Sequence, residues 1–127
     1  MNKTKICLTL TCKTLQENIE IAKKYSQYID LVELRADYLD EDECLHIRKF
    51  PRLLNIPCIL TIRRRIDGGQ YIGGEAARTM LFARAMAFAD QETSKNFAYV
   101  DFEDDFHIPS LQDAAHAFGT RIIRSFH

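Results

Sequence analysis

Apolar positions along this chain follow two alternating rhythms. Short runs rich in β-branched and aromatic residues predict strands over Lys5 to Thr11, Asp30 to Ala36, Pro57 to Arg63, Phe97 to Glu103 and Thr120 to His127. Helical spacing fills the gaps. Leu15, Ile19, Ala22 and Tyr25 follow Thr14-Leu-Gln-Glu17, a capping-box signature. Asp40 to Glu43 repeats that signature and predicts a short helix to about Lys49, ahead of Pro51. A third helix is expected from about Glu75 to Asp90, with Ala77, Met80, Leu81, Arg84 and Phe88 spaced along it. Ser110 opens a fourth after Pro109, and Gly119 ends it. Pro57 stands at the start of its strand, where a missing ladder donor matters least.

Strict strand-helix alternation argues for an α/β fold with parallel strands, either doubly wound or a (β/α)8 barrel. The G-x-G-x-x-G fingerprint is absent after the first strand, which weakens the dinucleotide-binding option. Polar residues instead recur at i and i+2 near strand ends: Thr9 and Thr11, Glu33 and Arg35, Thr61 and Arg63, Asp101 and Glu103, Ser125 and His127. Alternate residues share a strand face, so each pair points one way. Barrels build their sites from such strand tops. The expected architecture is therefore a parallel (β/α)8 TIM-barrel type. A whole barrel needs about 250 residues, so residues 1–127 would form its N-terminal half, four βα units plus a fifth strand. The outer strands would then leave unpaired edges. Such a chain would be a piece of a longer enzyme, a truncated gene product, or one of two copies that close an assembly together.

Composition narrows the function classes. The chain has 127 residues, 46% hydrophobic and 28% charged, with 17 basic and 18 acidic side chains and net charge -1. That balance gives no bulk electrostatic case for nucleic acid or an anionic membrane. No apolar run reaches the roughly 18 residues a membrane span needs, and the start leads into a strand rather than a signal segment. Cys7, Cys12, Cys44 and Cys58 lack C-x-x-C spacing and fit small hydrophobes in a reduced, cytoplasmic protein.

The chemistry-bearing candidates lie at the strand ends. An acid and a base sharing an inward strand face are expensive unless other polar groups satisfy them, which draws attention to Glu33 and Arg35. Arg63, two beyond Thr61, would add a forked donor suited to a carboxylate or hydroxyls. His127 suits general acid/base work, with Ser125 its inward neighbour; its bland alternative is a disordered terminus. His46, His107 and His116 read as surface residues. Asp67 before Gly68 and Gly69 is by default a turn signal, and alternatively a carboxylate folded over the site to orient a base. Asp101 and Glu103 would either pair with inward arginines or hold a hard metal such as magnesium. These features support a barrel enzyme for a small polar or anionic substrate.

Glu33-Leu-Arg35-Ala-Asp37, Leu60-Thr-Ile-Arg63 with Asp67-Gly-Gly69, Val100-Asp-Phe-Glu103 and Ser125-Phe-His127 together resemble type I 3-dehydroquinate dehydratase of the shikimate pathway. The resemblance implies a metal-free, cofactor-free barrel, usually a homodimer, converting 3-dehydroquinate to 3-dehydroshikimate through a lysine Schiff base. It implies that Thr9, Glu33, Arg35 and Arg63 bind substrate, that His127 is the acid/base, and that Asp67 orients it in place of a family glutamate. Asp101, Glu103 and Ser125 would support them. The Schiff-base lysine of the family lies on a later strand. Lys3, Lys5, Lys13, Lys23, Lys24, Lys49 and Lys95 are all expected away from inward strand tops, so this segment alone is expected to lack dehydratase activity. The remaining alternatives are a non-catalytic half-barrel that self-assembles and a metal-dependent enzyme using Asp101 and Glu103.

Overall fold

The computed structural model describes residues 4–86 and 92–127. Five strands, β1 (Cys7–Leu10), β2 (Leu31–Arg35), β3 (Cys58–Thr61), β4 (Tyr99–Glu103) and β5 (Arg121–Ser125), form one sheet in sequential order. All four pairings are parallel. The α-helices are α1 (Leu15–Lys24), α2 (Glu75–Met86) and α3 (Pro109–Ala117). This is the expected α/β alternation, with the strands in barrel order.

Thr14 caps α1 as its sequence predicts, its hydroxyl accepting from the Glu17 amide and donating to the Glu17 carboxylate. A second cap comes from a distance, because Glu43 Oε1 accepts from the Leu15 amide at 2.6 Å. Glu43 therefore does not act in the box expected for its own segment, and the Asp40 side chain makes no cap hydrogen bond. That segment is a 3-10 helix over Glu41–Leu53 that runs through Pro51 instead of stopping before it. Ile47 and Phe50 are its buried anchors, three apart, which suits three residues per turn.

Helix α2 also differs from its predicted face. Arg78, Phe82, Ala85 and Met86 point into the core, whereas Ala77 and Arg84 are exposed and Met80 is 56% exposed. The expected positions Phe88 and Asp90 lie outside the described residues. The strands are shorter than predicted, so Thr11 is exposed beyond β1, and Phe126 and His127 are exposed beyond β5.

The two sheet faces have different fates. Leu10, Val32, Leu34, Leu60, Val100 and Phe102 join Ile19, Phe82, Leu111 and Ala115 of the helices in one core. Within it Phe82 and Phe102 meet edge to face at 5.1 Å, with Phe106 against both. Each such ring pair adds about 0.5–1.5 kcal/mol beyond the area it buries. The opposite face carries Thr9, Glu33, Arg35, Thr61, Asp101, Glu103 and Ser125. The register sets Thr9 beside Glu33, Arg35 beside Thr61 and Glu103 beside Ser125.

Candidate active site

The side chains at the C-terminal ends of the strands form two linked clusters. In the first, the Glu33 carboxylate accepts from the Thr61 hydroxyl at 2.6 Å and from the Thr9 hydroxyl at 3.2 Å. Arg35 grips Asp37 with both Nε (3.0 Å) and Nη2 (2.8 Å), and its guanidinium lies 5.2 Å from the Tyr38 ring centre. Burial acts against the charge on Arg35, but the hydrogen bond and field of Asp37 outweigh it and raise its pKa.

Arg63 is the centre of the second cluster and only 7% exposed. Its Nη1 reaches Glu103 Oε2 at 2.7 Å, Asp101 Oδ1 at 3.1 Å and Ser125 Oγ at 3.1 Å. The Ser125 hydroxyl in turn donates to Asp101 Oδ1 at 2.6 Å. Two carboxylates and a hydroxyl thus hold one nitrogen of the fork. Nε and Nη2 make no hydrogen bond among the described residues, which leaves donors for a ligand.

Behind Glu103 stands Arg78, which the spacing of sequence motifs did not single out. It is 0% exposed and donates to the Ile62 carbonyl at 2.8 Å and to both oxygens of Glu75. Its Nη2 also lies 2.8 Å from Glu103 Oε1, yet that oxygen is buried without a well-directed hydrogen bond. The distance establishes an ion pair, and the poor angle makes it an electrostatic contact rather than a bond along the N–H axis. The available clue was an arginine sharing the helical stripe of Phe82 and Ala85, at i+4 and i+7.

Arg64 ties the neighbouring loops together, with Nε 2.6 Å from Asp67 and Nη2 2.8 Å from Asp105. Its burial disfavours charge, but these two hydrogen bonds prevail and raise its pKa. The hydrogen bond from Arg64 holds the Asp105 carboxyl below the usual value. Asp67 is consequently directed at Arg64, and no hydrogen bond joins it to His127 among the described residues. The default reading of the Asp67-Gly68 step is the one observed, a turn with Gly68 at φ 85°. Gly69 is pressed against the Arg63 backbone, where a Cβ would lie 2.2 Å from the Arg63 carbonyl oxygen. The Gln70 amide completes the loop's anchorage by donating to Asp37 at 3.0 Å.

His127 sits two residues past Ser125, exposed and without a hydrogen bond or ion pair among the described residues. It is accessible for proton transfer but unoriented. All four cysteines are free, and burial is the first cause raising each thiol pKa, to about 12 for Cys58. None is an activated nucleophile. The metal alternative fares poorly because Asp101 and Glu103 are already neutralised by arginines, and no group of three metal-ligating side chains converges among the described residues. A cavity of about 710 Å³ between the Glu41–Leu53 helix and α2 reaches this region through Asp37 and Gln70. The Glu33 and Arg63 clusters themselves lie on the open sheet face.

The type I 3-dehydroquinase family model matches residues 6–127. The 3-dehydroquinate dehydratase of Methanocaldococcus jannaschii is 32% identical over 128 residues, spanning 96% of this chain and 52% of its own. The protein of the same name from Archaeoglobus fulgidus is 36% identical over 111 residues, spanning 87% and 45%. The chain thus spans about half the length of these curated relatives. Among solved structures, a type I 3-dehydroquinate dehydratase from Clostridium difficile superposes with a TM-score of 0.76 at 20% identity, over 98% of this chain and 51% of its own. That likeness gives the fold: a parallel sheet of the TIM-barrel type.

Proposed function

The chain belongs to the type I 3-dehydroquinase family, and from that premise we propose that it is the N-terminal half of a 3-dehydroquinate dehydratase domain, carrying the substrate-binding side of the site. The observation that carries the reading is Arg63, held through Nη1 alone and offering Nε and Nη2 on the same face as Glu33 and Arg35. A ring bearing hydroxyls and a carboxylate matches alternating donors and acceptors of this kind.

In the proposed chemistry, the substrate ketone condenses with a lysine amine to an iminium, losing water. The iminium withdraws electrons from carbon 2, so imidazole is a sufficient base. His127 takes that proton, protonation of the departing hydroxyl yields a second water and the new double bond, and hydrolysis of the iminium then consumes one water, freeing the lysine and the product, so that one water is lost overall. Asp67 would have to leave Arg64 to steady His127. Until then it is a loop anchor.

The lysine is proposed to lie outside this segment. Among the described residues Lys5 and Lys13 flank β1, Lys23 and Lys24 lie in α1, Lys49 lies in the 3-10 helix and Lys95 pairs with Glu92 at 3.2 Å. None is on a strand, and Lys3 falls outside the described residues. The chain alone is therefore expected to bind 3-dehydroquinate without forming an adduct. Incubation with substrate and borohydride, followed by intact mass, should return the unmodified mass; a trapped adduct on any of these lysines would overturn the assignment. Family membership supports a homodimer, and four free thiols support a reducing, cytoplasmic setting.

A further inference from the structure

The burial of Arg78 is costly, and its partners show what it accomplishes. A guanidinium taken wholly out of water requires compensation from every direction. Arg78 obtains it from the Ile62 carbonyl, from Glu75, from Glu103 and from two aromatic faces, Phe106 at 4.6 Å and Phe82 at 5.6 Å. An apolar side chain of similar size could fill the same space at little or no cost in stability. What it could not do is control a carboxylate.

Glu103 is the carboxylate concerned. It is 2% exposed and stands between two arginines, Oε2 toward Arg63 and Oε1 toward Arg78. Among the described residues the other cation near Oε1 is Arg64, at 3.9 Å. Without Arg78, Oε1 would be a buried charge without its nearest cation, and Glu103 would rotate to seek solvent or Arg64. Arg63 Nη1 would then lose the shortest of its three contacts. Its fork would be free to turn, because Asp101 and Ser125 hold it only through longer hydrogen bonds.

We infer that Arg78 is a positioning residue: acting through Glu103, it fixes the plane in which Arg63 presents Nε and Nη2 to a carboxylate- or hydroxyl-bearing ligand. This rests on the reading of Arg63 as a ligand donor, but its first consequence is visible without ligand. In the uniformly 15N-labelled chain, Arg78→Met should move and broaden the Arg63 Nε–H resonance, and Arg78→Lys should restore part of the wild-type position. Affinity for 3-dehydroquinate should fall about tenfold in Arg78→Met, equivalent to about 1.4 kcal/mol, with partial recovery in the lysine variant. A purely structural residue would lower the melting temperature and leave the Arg63 resonance in place.

If Arg78→Met does not fold, Glu75→Gln serves instead, since the Glu75 carboxylate is half exposed and holds Arg78 from the outer side. It should displace the Arg78 and Arg63 resonances together. An Arg63 resonance unchanged in a folded Arg78 variant, or unchanged in Glu75→Gln while that of Arg78 moves, overturns the inference. Failure of the wild-type chain to bind 3-dehydroquinate would strike the functional reading alone, because the unliganded resonance still decides the role of Arg78.

Discussion

Charged residues outnumber simple pairs at the strand tops, and the arrangement is a chain of shared carboxylates. Asp101 and Glu103 share Arg63, Glu103 is divided between Arg63 and Arg78, and Arg64 bridges Asp67 to Asp105. The last link gives a pH-dependent signature. Asp105 is exposed, and its folded pKa is lowered mainly by the hydrogen bond from Arg64. A depressed carboxylate stabilises the fold fully above its unfolded value of 3.8, and the contribution is lost as pH falls through the lower folded value. In a carboxyl 13C titration, Asp105 should show its midpoint below 3.8, and Arg64→Gln should return it to the ordinary range. A midpoint unmoved by that substitution would contradict the bridge. At this scale the sequence was only partly legible. Inward Arg63, Asp101, Glu103 and Ser125 followed from strand parity, because period two fixes the face of a side chain once the strand is located. Arg78 did not, since a helical arginine among apolar neighbours normally sends its charge to the surface and here turns it inward.

The elements divide in the same way. Strands β1 to β5 and helices α1 and α3 are readable from apolar rhythm and the Thr14 cap, although α3 begins at Pro109 without a side-chain cap, one residue before the expected Ser110. The Glu41–Leu53 segment differs from the short helix expected to end near Lys49: it is a 3-10 helix that continues through Pro51, and capping signals do not distinguish three residues per turn from 3.6. Its true cap relationship is tertiary, Glu43 serving α1, and that has no local signature. The sheet also makes an assembly prediction. Among the described residues β1 pairs with β2 alone and β5 with β4 alone, so the outer edge of each has no strand partner there. In the proposed half-barrel these edges are where the other strands of the domain would pair, and a chain of these residues alone would instead cover them by pairing with a second copy. Sedimentation equilibrium of the folded chain at micromolar concentration should return the dimer mass; a well-folded monomer there would refute it.

On the scale of the molecule, helices cover one face of the parallel sheet, and the other face is polar at the strand tops. That division sets the chain apart from a merely stable α/β domain. A structural sheet has no need of three carboxylates, two arginines and three hydroxyls on its open side, since each buried charge must be offset by another. The surrounding surface offers arginines that serve as internal controls: Arg48, Arg52 and Arg84 lie on the Glu41–Leu53 helix and α2, away from the strand tops. The decisive measurement is a 15N–1H titration of the arginine side chains with 3-dehydroquinate. Saturable movement of the Arg35 and Arg63 Nε–H resonances is expected, with Arg48, Arg52 and Arg84 stationary. A folded chain in which Arg35 and Arg63 stay fixed at millimolar ligand, or in which only the control arginines respond, would show that this polar face is not the 3-dehydroquinate site.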